Sequence, residues 1–209
     1  MGRYVLVLGA ICLVAAAALA AVFEVTKDPI AASRAAVERQ AIQTVLPAFD
    51  QVGTAPAPAA TGGTRLLALY PAWSSGQFVG AAVKVVDAGG YGGDVTIMVG
   101  VDANLKVHAI RLLSHKETPG LGSKLGEPKF AGQFSGLEVP AAGLRVVKDG
   151  GSVQAITGAT ISSRCAARAA TAAVQAVRER AAELAAPPAV EPGAAPAAAV
   201  AAGQGGAHG

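Results

Sequence analysis

The chain has 209 residues, 17 basic and 14 acidic, for a formal net charge of +3. That excess is small and its lysines and arginines are dispersed, with no basic stripe interleaved with aromatics, so the composition excludes a nucleic-acid binder. Two cysteines, Cys12 in an apolar run and Cys165 in the body, exclude a disulfide framework. Three scattered histidines offer no metal-ligand spacing, so neither a metal nor an iron–sulfur cluster is expected.

After Arg3 the chain is apolar without interruption from Tyr4 to Phe23, and Glu24 and Lys27 end the run. About twenty residues at helical rise span about 30 Å, the thickness of a bilayer core. Residues 1–25 are therefore read as a transmembrane anchor. The competing reading is a cleaved signal peptide, for which Ala18-Leu19-Ala20 supplies a small-x-small cleavage site. One basic residue on each side, Arg3 and Lys27, gives little bias in orientation.

Residues 26–64 are expected to form a helix and a linker. Asp28 is placed as an N-cap and Pro29 as the first helical residue. The helix should run to about Leu46, with Ile30, Val37, Ala41, Val45 and Leu46 as its apolar stripe and Pro47 as its stop. Gly53 to Thr64, rich in Ala, Pro, Thr and Gly, is a loop or linker. From about Arg65 the pattern changes to β-like runs: Phe78 to Val86, Val95 to Val101 and Lys106 to Leu113, with a turn at Asp102-Ala103-Asn104. Leu144 to Lys148 and Ser152 to Ile156, around Asp149-Gly150-Gly151, read as a hairpin. A last helix from Ser162 to about Leu184 keeps Cys165, Ala166, Ala169, Ala173, Val177 and Leu184 near one face. Together these elements predict an α+β domain over residues 65–184, a mainly antiparallel sheet with flanking helices behind a single transmembrane helix. Residues 185–209, Ala/Pro/Gly with almost no charge, are expected to be a disordered tail.

The run Ile156 to Ser163 ends the β-rich stretch and opens the last helix. It puts the Thr160 hydroxyl near a helix N-terminus, where free N–H groups and the positive end of the macrodipole favour a phosphate. Three further words stand out: Gly90-Tyr91-Gly92-Gly93, the stretch from His115 to Gly122, and Glu127-Pro128-Lys129-Phe130 followed by Gln133-Phe134. Cys165 is read as a small packed residue and Ser162 and Ser163 as caps. Tyr91 is assigned to core packing in preference to stacking near a cofactor, and His115 to the surface in preference to a proton relay. Trp73 is a core residue or a membrane-interface anchor.

The word Thr157-Gly158-Ala159-Thr160 resembles the flavinylation motif of proteins that carry FMN on a threonine through a phosphoester, the last threonine being the attachment point. With the anchor, Thr26-Lys27-Asp28-Pro29-Ile30 and the three words above, in that order, the chain resembles the G subunit of the Rnf ion-translocating electron-transport complex. A near relative is the C subunit of the sodium-pumping NADH:quinone reductase. The resemblance covers the anchor and nearly all of the body, and leaves out the tail and the linker. One departure is Gln154, where these families usually have an aspartate.

The resemblance implies FMN covalently bound to Thr160, with Thr157, Gly158, Ala159 and Ser162 around the attachment. Glu117, Thr118, Gly120, Leu121 and Gly122 would wall the pocket, Thr118 bonding the ring edge and Leu121 packing on its face. Lys124 is placed near the phosphate or the flavin N1 region, or else is solvated. A threonine hydroxyl is a poor nucleophile and nothing in the motif activates it, so a Mg²⁺- and FAD-dependent FMN transferase is implied for maturation. The implied setting is the bacterial cytoplasmic membrane with the body on the periplasmic side. The implied partners are the other membrane and iron–sulfur subunits, and the role is electron relay with no independent substrate turnover. Two alternatives stay open: the C-type subunit of the quinone reductase, and a non-redox anchored assembly or phosphate-binding module in which the turn only caps a helix.

Overall fold

Val83 to Val86 and Val95 to Val101 are rich in β-branched residues, which fit a pleated surface, and they lie side by side at the centre of the sheet. The computed structural model describes residues 2–56 and 63–184. A long helix α1 (Gly2–Val45) precedes strands β1 (Gln51–Val52), β2 (Thr64–Ser74), β3 (Gln77–Asp87), β4 (Val95–Asp102) and β5 (Val107–Ser114). A short helix α2 (Pro128–Ala131), flanked by 3-10 turns, leads through a loop to α3 (Thr160–Glu179) and α4 (Ala181–Leu184). The strands form one antiparallel meander in chain order, so the fold is α+β as expected.

Both faces of the sheet are covered, which is why β4 is apolar almost throughout instead of alternating. One face carries α3 together with Phe130 and Phe134, whose rings meet edge to face with centroids 5.6 Å apart. The alanines of α3 at 166, 169, 170 and 173 are buried on that face. Alanine lets the helix approach closely and is also the strongest helix former. The opposite face receives only the end of α1, where Ala41, Ile42, Val45 and Leu46 pack on Ala72, Ala82 and Met98. Glu38 ties the helix down, accepting hydrogen bonds from Tyr70 Oη and Lys84 Nζ, both at 2.6 Å. Burial alone would raise the Glu38 carboxyl, but the bonds from Lys84 and Tyr70 outweigh it and hold it below the usual range. Trp73, 2% exposed, is a core residue.

Several expectations are corrected. Asp28-Pro29 does not begin a new helix: α1 is continuous and Pro29 lies inside it. Asp28 cannot cap a backbone that is already helical, and the alanine-rich turns beyond Pro29 sustain the helix although the ring removes one i→i−4 bond. Ile30 and Val37 stay exposed, so the expected stripe is buried only from Ala41 onward.

The expected linker begins as sheet, since Gln51 and Val52 pair with Trp73 and Ala72, and Ala55 bridges Leu69. Its residues 57–62, and the expected tail at 185–209, lie outside the described residues. Strand β2 contains Pro71, which obscures it in sequence. Pro71 is tolerated because its nitrogen faces the two-residue edge strand, while its carbonyl still accepts the Gly53 N–H at 2.8 Å.

The expected hairpin at 144–156 is no antiparallel ladder. Val146 bridges Val153 in the parallel sense, with a 3-10 turn at Val147–Asp149 between them. Gly151 lies so close to the Arg145 carbonyl that a side chain would overlap it. The last helix is interrupted at Arg180, and α4 carries Leu184 back to the core.

The end of α1 rests on β4 at Gly100, where a Cβ would overlap the Val45 carbonyl. Gly100→Ala is expected to lift α1 from the sheet and cost about 1–3 kcal/mol. Thermal unfolding of the detergent-solubilised chain, followed by Trp73 fluorescence, measures it. Gly132→Ala, which meets open space, should leave the melting temperature within about 2 °C of the parent.

Candidate functional site

The segment before α3 makes a tight turn. The Ala159 N–H donates to the Ile156 carbonyl at 2.9 Å, and Gly158, third in the turn, has φ +78°. Only glycine takes that conformation without strain, which is the physical content of the small residue at this place. Thr160 is the first helical residue, and Ala159 before it has no side chain that caps the helix. The first N–H groups of a twenty-residue helix are thus left for an external acceptor, aligned with the positive end of its dipole.

Four hydroxyls occur in this run, and packing sorts them. Ser162 and Ser163 are fully buried. Ser162 Oγ donates to Glu117 Oε2 at 2.7 Å. Ser163 Oγ donates to the Ala159 carbonyl at 2.9 Å and accepts the Ile156 N–H at 3.0 Å. Neither serine is a cap, because both already lie inside the first turn. Thr157 is exposed in the turn, and Thr160 is half-buried at the helix start. None of the hydrogen bonds that hold the turn uses the Thr160 hydroxyl.

Glu117 draws the separate words together. Its side chain is buried, and Oε1 accepts the Gly92 N–H at 3.3 Å while Oε2 holds Ser162. Gly90, Gly92 and Gly122 stand where side chains would collide with the Gly93 carbonyl, the Lys116 carbonyl and the Glu117 carboxylate respectively. Glu117 and Gly122 are therefore packed beneath the surface, and the expected wall is formed by their neighbours. Thr118 and Gly120 are exposed, and the Thr118 carbonyl accepts the N–H groups of Leu121 and Ser123 at 3.2 and 3.4 Å. Leu121, 42% exposed, leans over the turn: a Cβ on Gly158 would lie 3.2 Å from its Cδ2.

Lys124 is exposed and faces a cleft of about 610 Å³ shared with Lys129, Gln133, Gln154 and Thr157. The volume is in the range of small-molecule sites. Gln133 clamps residue 154 through its backbone, accepting the N–H at 2.8 Å and donating to the carbonyl at 3.3 Å. Lys129 and Gln133 were absent from the expected site, although the word that contains them stood out in sequence. Tyr91 does not pack in the core; it is 74% exposed beside the Glu117 node. His115 is at the surface, and its Nδ1 accepts the Glu117 N–H at 3.2 Å.

Cys165 is buried, and burial together with the Asp87 charge pushes its thiol up to about 12, so it is an inert packing residue. Asp87 itself, 1% exposed, receives a two-pronged Arg168 guanidinium at 2.7 and 2.8 Å and the Gly89 N–H at 2.8 Å. Burial raises its carboxyl, but the Arg168 and Gly89 bonds prevail and hold it below the ordinary value. Among the described residues no group of three or more His, Cys, Asp or Glu is gathered as a metal site.

An N-terminal apolar helix, a five-stranded α+β body and an uncapped start of α3 define a class by shape: a small α+β domain behind a hydrophobic segment. Residues 90–175 match the family model described as FMN-binding domain, and residues 1–45 match the RnfG N-terminal region. The G subunit of an ion-translocating oxidoreductase complex from Aliivibrio fischeri is 40% identical over 110 residues, covering 50% of this chain and 52% of the relative. The G subunit from Methanosarcina acetivorans is 32% identical over 154 residues, covering 72% and 80%. That of Haemophilus influenzae is 32% identical over 172 residues, covering 78% and 83%. The chain thus spans about half the length of the first relatives it matches, and about four-fifths of the latter two. This chain belongs to the family of G subunits of ion-translocating oxidoreductase complexes. Among solved structures, NqrC of Shewanella oneidensis overlays with a TM-score of 0.48 and 20% identity, over 68% of this chain and 72% of that one.

Arg168→Ala leaves Asp87 buried without its cation. The expected loss at neutral pH is about 2 kcal/mol, below the roughly 3–5 of a fully buried pair because Arg168 is 41% exposed. A depressed carboxyl stabilises the fold above its unfolded pKa, near about 3.9, and that contribution vanishes as pH falls through the folded value. The stability gap between parent and variant should therefore narrow below about pH 4 in denaturant titrations.

Proposed function

We propose that this chain is an electron-relay subunit that carries FMN on Thr160 through a phosphoester bond, within a multisubunit ion-translocating oxidoreductase. The observation that carries the reading is the sorting of the four hydroxyls: Thr160 alone combines a place in the first helical turn with partial exposure and a hydroxyl that the turn does not use. In the transfer, an FMN transferase with Mg²⁺ would break the pyrophosphate P–O bond of FAD and form the Thr160 Oγ–P bond. AMP departs with the electron pair, and the hydroxyl proton passes to base or solvent. The uncapped N–H groups at the start of α3 stabilise the charge of the resulting phosphodiester by a few tenths to about 1 kcal/mol.

Bound FMN supplies one- and two-electron transfer. The chain's own residues hold it. Leu121 offers an apolar face beside the turn, Thr118 a polar edge, and Lys124 a cation at the mouth of the cleft. The residues present fit the group, since the uncapped start of α3 with its half-buried Thr160 directly follows the segment Gln154 to Thr157 that lines a cleft of adequate volume.

Residues 1–25 act as a single-pass anchor in the cytoplasmic membrane, and the helix has the length and hydropathy for it. Residues 65–184 form the flavin domain on the periplasmic side. Its partners are the other membrane and iron–sulfur subunits, and the domain has no soluble substrate of its own. A carrier outside the cytoplasm gains from a covalent link, because a dissociated flavin would be lost.

Co-expression with an FMN transferase should give a denaturing-gel band that fluoresces under ultraviolet light. Thr160→Val should abolish the fluorescence and Thr157→Val should keep it, with the mass increment of FMN located at Thr160 by peptide mass spectrometry. Retained flavin in the Thr160→Val protein overturns the assignment. A dark parent band beside an active transferase favours a non-redox anchored module.

A further inference from the structure

Two carboxylates are buried among the described residues, and they are treated differently. Asp87 has the Arg168 guanidinium. Glu117, 5% exposed, has no Lys or Arg within salt-bridge distance; its partners are the Ser162 hydroxyl and the Gly92 amide. An uncompensated buried carboxylate is costly, and simple packing could be met by a neutral side chain of similar size. Space is nevertheless kept for this one by Gly90 and Gly122, at both of which a Cβ would crowd its oxygens. The partial positive charge at the start of α3 is the compensation at hand, since Ser162 lies in that first turn.

We propose that Glu117 is a positioning residue for flavin attachment: by accepting the Ser162 hydroxyl it fixes the first turn of α3 and so aims the Thr160 hydroxyl at the transferase. This rests on the reading of Thr160 as the acceptor. A carboxylate accepts only, so Ser162 must donate to it, and the direction of that bond sets the rotation of the turn. Thr160 lies two residues earlier in the same turn. The Gly92 amide holds the carboxylate from the other side, so the acceptor is referenced to the sheet through the loop between β3 and β4. Small misplacements of a reacting group slow a transfer step without changing docking.

The test uses the full chain in detergent with FAD, Mg²⁺ and a purified FMN transferase, following covalent fluorescence over time. Glu117→Ala and Ser162→Ala should each lower the maximal labelling rate about tenfold or more, with the half-saturating acceptor concentration unchanged. The double variant should be no slower than the slower single one, because both delete the same bond. Glu117→Gln, which can still accept the serine hydroxyl, should recover to within about threefold of the parent. Wild-type rates in both single variants, or losses that multiply, overturn the proposal. Should Glu117→Ala fail to fold, Ser162→Ala, which removes one hydroxyl, decides alone: a parental rate overturns the proposal and a slowed maximal rate supports it. An unlabelled parent defeats the Thr160 reading itself and this proposal with it. A labelled parent with unaffected variants defeats only the positioning role.

Discussion

The Glu117 carboxylate is held between the Gly92 amide and the Ser162 hydroxyl, and the rest of the site takes its shape from that contact. Buried charge in a low-dielectric interior tolerates few geometries, so each group around it is constrained. Gly90, Gly92 and Gly122 lack side chains because the backbone closes around the carboxylate and its neighbours. The turn from Thr118 to Ser123 follows, and it carries Leu121 over Gly158. The glycine-rich words thus share one cause, the close approach of three chain segments around a single polar group.

Beyond that node, the sheet supplies a rigid reference on both faces. Alanines on α3 let the helix lie close to β3 and β4, so the start of α3 cannot drift from the loop between those strands. The Asp87–Arg168 fork adds a second tie, between the end of β3 and the part of α3 two turns beyond Thr160. On the opposite face Gly100 admits the backbone of α1, and Glu38 joins Tyr70 and Lys84. Between the apolar segment and Glu38, residues Glu24 to Val37 are almost all exposed, a stretch of about 20 Å at helical rise. The domain therefore stands at the end of a helical arm continuous with the apolar segment.

Much of this was legible in the chain itself. Strands β3, β4 and β5 were marked by β-branched runs and the Asp102-Ala103-Asn104 turn, and α3 by its alanine face. Strand β2 was obscured because Pro71 reads as a breaker; its tolerance depends on which edge its nitrogen faces, and a linear pattern does not reveal that. The break expected at Pro29 was a propensity argument, and the strong helix formers beyond it prevailed. Tyr91, assigned to core packing, lies outside, in the loop between β3 and β4.

Local chemistry alone dictates an apolar span of bilayer length, the strand periods, and a small-residue turn before a helix. These depend on residues within a few positions of one another, and one dimension suffices to read them. Packing in three dimensions narrows the free hydroxyls of the turn to Thr157 and Thr160, since Ser162 and Ser163 are removed by their hydrogen bonds and by burial. It also puts Glu117 beneath the surface, and gathers Lys129 and Gln133 into a cleft with Thr157. Burial and long-range hydrogen bonding are properties of the packed chain, and no pattern along the sequence encodes them singly.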